Sequence, residues 1–128
     1  MRLPHKGVAV PVNDLIQLAK FHEKWDITNT LDNHPLPSVE FVSDGCSLWP
    51  DTWFGKDLYP ACFWHDVRYW CGLSGDRKAR LRADASLMLD VCAIHSVDLA
   101  VTMFNGVRVG GSEHLKTPFR WAYGRETV

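Results

Sequence analysis

Two titratable residues stand side by side in an aromatic run, His65 and Asp66 in CFWHDVRYW (62–70). On a helix, successive side chains diverge by about 100°, so these two look along neighbouring faces and do not readily pair with each other. Each needs its own partner, and the two partners define two chemistries. An imidazole with one nitrogen fixed by a buried carboxylate offers the other nitrogen as a general base. A carboxylate that looks elsewhere suits a hard cation, and oxygen ligands from carboxylates and loop carbonyls fit calcium. Downstream, Asp84 in RLRADASLMLD is able to meet His65. Upstream, Asp44 in the turn-like SDGCS is the second carboxylate for a metal beside Asp66.

These residues must be carried by elements that the sequence marks out. Pro60 opens a helix at a position where its missing donor costs nothing, and Gly72 closes it. Cys62, His65 and Tyr69 fall at i, i+3 and i+7 and share one face of it. A short GLSGD turn leads into a second long helix, SGDRKARLRADASLMLDVCAIH (74–95), capped by Ser74 or Asp76. The short turn makes the pair antiparallel. On the wheel of the second helix, Leu81, Ala85, Met88, Val91, Cys92 and His95 form the apolar arc, and Arg82, Ser86 and Asp90 face water. Asp84 falls inside that arc, where an ionised carboxylate is costly unless paired. The pairing with His65 serves catalysis or is simply a satisfied polar pair in the core.

The flanks are simpler. VNDLIQLAKFHEKW (12–25) reads as an amphipathic helix capped by Asn13, with Leu15, Leu18, His22 and Trp25 on one face. Residues 26–58 hold three prolines and two glycines and read as a long structured loop with one strand-like piece, SVEFV; loops of that length are uncommon unless functional. A last helical run covers about 96–109, before Gly110, Gly111 and a tail ending in RWAYG. The class is mainly α, in one domain.

The whole-chain numbers bound the function. With 128 residues, 46% hydrophobic and 23% charged, the chain suits one globular domain with its own core. A net charge of −1 predicts no general attraction to nucleic acid or anionic lipid, and RKARLR (77–82) reads as a solvated helix start. No apolar run reaches the length of a membrane span, and no long apolar segment of a secretory signal stands at the start. The expectation is a soluble protein, cytoplasmic or virion-associated. The four cysteines form no CxxC pair, and their spacings with His65 match no usual zinc pattern. His5, His22, His34 and His114 read as surface residues.

DGCSLWPDTWFGKDLYPACFWHDVRY (44–69) resembles the calcium loop and first catalytic helix of secreted phospholipases A2, especially the small bacterial and fungal branch. Asp44, Cys46, Ser47, Pro50, Asp51, Phe54, Gly55, Ala61, Cys62, His65, Asp66 and Tyr69 stand where that pattern has them. The match is close over 44–69 and looser over the next helix, through Asp84 and Asp90. The resemblance implies a phospholipase A2-like fold, with His65 as general base, Asp84 as its orienting partner and Tyr69 bonded to Asp84. It implies Ca2+ held by Asp44, the Gly45 carbonyl and Asp66, and a Cys46–Cys62 disulfide tying loop to helix. The implied reaction is hydrolysis of the sn-2 ester of a phospholipid at a membrane surface, by activated water rather than a serine; the chain has no GxSxG elbow.

Cys71 and Cys92 do not sit at that family's second disulfide positions, and they read as free buried thiols, with a bridge between the helices as the alternative. Trp49, Trp53, Phe54 and Leu58 form an interfacial rim dipping into lipid, or else core cover or a protein contact surface. The pattern also resembles small phage-encoded proteins that keep the Asp-Gly-x-Ser turn, the HD…Y helix and a following Ala-Asp helix. That resemblance implies a virion component on a phospholipase-like scaffold, with phage virion proteins as partners.

Overall fold

The computed structural model describes residues 2–46 and 49–125. Ser47, one of the residues matching the calcium-loop pattern, lies outside the described residues.

The chain is mainly helical, with two small antiparallel ribbons among the described residues. Strand β1 (Ala9–Val10) pairs with β2 (Phe41–Val42), and β3 (Thr52–Trp53) pairs with β4 (Lys56–Asp57). The helices are α1 (Val12–Phe21), α2 (Trp25–Asn33), α3 (Tyr59–Cys71), α4 (Arg77–Ile94) and α5 (Val97–Gly110), followed by a 3-10 turn at Tyr123–Arg125.

Helix α3 is the centre of the fold. Nine of its residues are buried, on every side, so it must be surrounded. One side packs with α1, α2 and Phe41 through Phe63, Trp64, Val67 and Trp70. The other meets α4 and α5 through Ala61 and Cys62, against Leu87, Val91 and Met103. Contacts join His65 to Asp84 and Tyr69 to Arg80, so α3 and α4 run antiparallel, as the short turn between them predicts. The tail straps the end of α3: Ala122 N–H donates to Tyr69 O at 2.9 Å, and Trp121 Nε1 donates to Leu73 O at 2.8 Å.

The first helical run is not one helix over 12–25. Lys24 N–H bonds to Ala19 O at 2.8 Å and Glu23 N–H to Lys20 O at 3.1 Å, the double closure of a helix end, with Glu23 at φ 58°. The stop is invisible in composition because a glutamate occupies the position that glycine usually fills. Trp25 consequently leaves the α1 face, starts α2 and is 58% exposed. Pro11, not Asn13, occupies the N-cap position of α1.

Residues 26–58 are likewise not one loop. Their first quarter is α2, whose Thr- and Asn-rich sequence has poor intrinsic helix propensity. Tertiary contacts override it: Ile27, Thr28 and Leu31 are buried, and Asp26 pairs with Arg68 Nε of α3 at 2.7 Å. At the other helix starts, Asp76 caps α4 by accepting from Ala79 N–H at 3.0 Å. Ser96 caps α5 by accepting from Leu99 N–H at 3.2 Å. Ser74 instead donates to Glu113.

The buried stripe of α4 also differs from the expected arc. Ala83, Asp84, Leu87 and Val91 are buried, whereas Leu81 and Cys92 are exposed. The stripe centres closer to Asp84 itself, because that carboxylate is the point where α3, α4 and α5 meet. Cys71 and Cys92 are both free, but only Cys71 is buried. Burial pushes its thiol up to about 12, far from the reactive thiolate form.

Candidate active site

Asp84 is fully buried and accepts hydrogen bonds on both oxygens. Its Oδ1 lies 2.8 Å from His65 Nε2 and 2.6 Å from the Tyr69 hydroxyl, and its Oδ2 lies 2.7 Å from Arg108 Nη1. Burial pushes this carboxyl up, but the bonds from His65, Tyr69 and Arg108 outweigh it and hold Asp84 below the usual carboxylate range. It is therefore ionised and can only accept, so His65 must carry its proton on Nε2. The lone pair is left on Nδ1. Helical spacing paired His65 with Asp84, the resemblance implied the bond of Tyr69 to Asp84, and the structure brings all three together.

Tyr69 is fixed from three directions. Its hydroxyl donates to Asp84 and accepts from Arg80 Nε at 3.1 Å, while its ring meets Trp121 edge-on at 5.1 Å between centroids. A Cβ added at Gly111 would lie 2.6 Å from the Tyr69 ring, so only glycine lets the end of α5 approach this closely. Burial, then the Asp84 charge, raises the Tyr69 phenol well above its ordinary value, so it stays a neutral donor.

The second chemistry sits on the neighbouring face of α3. Asp66 is buried, and its Oδ2 accepts from Asp44 N–H at 3.3 Å. Its carboxyl also faces that of Asp44 at hydrogen-bonding range. Burial first, and then the bond and charge of Asp44, raise Asp66 well above the usual carboxylate range. Two acids facing each other, one of them buried, form an environment that a cation would complete. The turn that presents Asp44 is held from within: Cys46 N–H donates to Asp51 Oδ1 at 2.9 Å, and Gly45 N–H to Ser43 Oγ at 3.2 Å. Gly45 has φ +69°, and a Cβ there would lie 2.5 Å from the Asp51 carboxylate. The Cys46–Cys62 disulfide, with Cα atoms 5.0 Å apart, ties this turn to α3 one turn before His65.

Among the described residues, no group of three or more His, Cys, Asp and Glu side chains gathers as a metal cluster. The donor set here is two carboxylates together with the main-chain oxygens that residues 43–46 provide. That composition is hard and all-oxygen, and so fits calcium or another hard divalent ion rather than zinc.

The two chemistries share one cavity of about 30 Å3, lined by His65, Asp66, Gly45, the Cys46–Cys62 bridge and Tyr69. Its far wall is apolar, with Leu87, Met103, Val107 and Phe119. That space holds one or two water molecules. With Nε2 committed to Asp84, Nδ1 is the ring nitrogen left for such a water. Of the aromatic rim, Leu58 is fully buried, and Trp49 and Trp53 pack partly buried on the core. Phe54 alone is open to solvent, 82% exposed at the tip of the β3–β4 ribbon.

Sequence reasoning missed Arg80 and Arg108. Arg80 belongs to the RKARLR run read as solvated, but it points inward while Arg77, Lys78 and Arg82 are exposed. Its spacing of four from Asp84 was the available signal, since it places both on one helix face.

Comparison with known proteins returned no family model, no curated protein and no solved structure that matches. No helix of the described residues is long and apolar enough to cross a membrane.

Proposed function

We propose that the protein is a calcium-dependent hydrolase of the phospholipase A2 type, acting on the sn-2 ester of phospholipids. One observation carries the reading: His65 is bonded through Nε2 to buried Asp84, and its ring borders a water-sized cavity that also contains the Asp66 face of an opposed carboxylate pair.

In this reading a water in the cavity lies against His65 Nδ1. The imidazole takes its proton as the water attacks the ester carbonyl, and Asp84 stabilises the imidazolium that forms. The proton then passes from Nδ1 to the departing alcohol oxygen, which restores the neutral ring. Tyr69 holds Asp84 in place and takes no proton. Asp44, Asp66 and the Gly45 carbonyl would hold calcium, which when bound would supply Lewis-acid stabilisation of developing negative charge on the carbonyl oxygen. No serine or cysteine nucleophile is required; Cys71 is buried and held as a thiol.

The test is turnover on phosphatidylcholine vesicles, with calcium or with chelator, for wild type beside His65→Ala. Expected is calcium-dependent release of lysophospholipid and fatty acid by wild type alone. Absence of turnover on every lipid offered would favour the second reading, a phage virion component on the same scaffold. The narrowness of the cavity favours that alternative, because about 30 Å3 holds water and not an acyl ester.

A further inference from the structure

Arg108 reaches the dyad from a helix to which the reaction assigns no part. It lies in the last turn of α5, and its Nη1 donates to Asp84 Oδ2 at 2.7 Å, opposite the edge used by His65 and Tyr69. The Arg108 side chain is 32% exposed, whereas Asp84 is 0% exposed. The pair is therefore no ordinary surface contact: one partner is entirely out of water.

The geometry shows what this contact controls. His65 Nε2 and the Tyr69 hydroxyl both use Oδ1, so by themselves they leave the carboxylate free to pivot about that oxygen. A donor on Oδ2 removes the pivot. Arg108 is itself anchored through its backbone: Arg80 Nη2 donates to Val107 O at 2.9 Å and Arg108 O at 2.6 Å, while Arg80 Nε holds the Tyr69 hydroxyl. One network thus pins α3, α4 and α5 at a single carboxylate.

We infer that Arg108 is a positioning residue for hydrolysis, fixing the plane of Asp84 and through it the tautomer and orientation of His65. The inference rests on the hydrolase reading for its kinetic consequence, though not for its structural one. Arg108 does not border the cavity, so it acts on turnover rather than on substrate binding.

The experiment compares Arg108→Met and Arg108→Lys with wild type in the calcium-loaded protein. On phosphatidylcholine vesicles, Arg108→Met should lower kcat about ten- to a hundredfold, the range for losing a hydrogen bond to a charged group, with KM within about twofold. Arg108→Lys keeps the charge but not the planar fork, and should recover part of the loss. A readout independent of activity is the His65 Nε2 proton in 15N-resolved NMR. It should be sharp and slow to exchange in wild type, broadened in Arg108→Met and intermediate in Arg108→Lys. If Arg108→Met does not fold, Arg108→Lys carries both readouts. Should wild type lack turnover, the hydrolase reading falls while the ring proton still tests the positioning. Variants that fold and keep the wild-type ring-proton signal, or a wild-type kcat where there is turnover, would overturn the proposal.

Discussion

The two acid-bearing sides of the cavity differ in how far the protein completes them. Around Asp84, three donors from two helices, His65 and Tyr69 of α3 and Arg108 of α5, saturate one buried carboxylate and hold it ionised. Around Asp66, a buried carboxylate faces a second acid and is pushed toward its protonated form. Both acids are buried, so burial alone does not decide their state. Partners decide it. The first side is finished by the chain itself, while on the second two acids oppose each other, the place where we propose a cation.

The largest expected effect breaks the finished side. Asp84→Asn keeps an oxygen for the His65 and Tyr69 donors, and partly exposed Arg108 is able to swing its guanidinium to water, so the fold should persist. The charge that stabilises the imidazolium is lost. A comparable change in the serine-protease triad lowers turnover by about 10⁴, and a loss of similar order is expected on phospholipid vesicles. Asp84→Leu is harsher, because it leaves Arg108, Tyr69 and His65 facing an apolar side chain with no acceptor. Urea unfolding should show a cost of about 3–5 kcal/mol, as for breaking a buried ion pair. A cost near zero would mean that the network contributes little to the fold.

How much of this was legible depended on whether a residue's partner was near in sequence or marked by type. The α3 and α4 helices and the His65–Asp84 pair follow from helical spacing and a short turn, while of the two caps open for α4, Ser74 or Asp76, the structure uses Asp76. Asp44 and Asp66 were paired from the chemistry of hard-cation ligands, and the structure shows that the two carboxyls face each other. The end of α1 was not legible, because Glu23 takes the left-handed position that sequence reading assigns to glycine. Helix α2 was missed because burial of Ile27 and Leu31 overrides weak propensity. Arg108 was missed because nothing local distinguishes an arginine that meets a buried acid 24 residues away from one that meets water.

The link between the two sides is the Cys46–Cys62 bridge, and its removal should come next in size. It closes a loop of about 16 residues, for which chain entropy gives about 3 kcal/mol. Cys46→Ser/Cys62→Ser should lose stability of that order in urea and bind calcium more weakly, since Gly45 and Asp44 are no longer tethered to α3. Alkylation mass spectrometry without reductant should find only Cys71 and Cys92 modified after denaturation. Recovery of Cys46 paired with either of those thiols would undo the arrangement.

Calcium should sharpen the contrast by binding on the side where two acids oppose each other. Binding to the native state stabilises it by about 2.7 kcal/mol at a hundredfold excess over Kd. A thermal scan should therefore show Tm rising with calcium in wild type, and in Arg108→Met if that variant folds. Asp66→Asn should show no rise. A Tm indifferent to millimolar calcium in wild type would leave the carboxylate pair without its proposed cation.

The smallest effect is the most specific, because the two acids predict opposite pH dependences in the metal-free protein. Asp84 is depressed in the fold, so its contribution is present above the ordinary carboxylate range and is lost as pH falls through its folded pKa. Asp66 is raised in the fold, so the native state binds its proton more tightly than the unfolded chain does. Its effect on stability is therefore most favourable at low pH and declines as pH climbs from about 3.8 toward the raised value. Together these two acids favour stability of the metal-free protein most near the ordinary carboxylate value of 3.8, with Asp84 limiting it below and Asp66 above. Asp66→Asn should flatten only the decline toward neutral pH, and should make the metal-free protein more stable than wild type at pH 7. Saturating calcium should flatten that same limb in wild type, because the ion requires the deprotonated carboxylate. The measurement is urea unfolding across pH 4 to 8 for both proteins, with and without calcium. Identical curves for wild type and Asp66→Asn without calcium would show that Asp66 carries no electrostatic burden, and the contrast between the two sides would disappear.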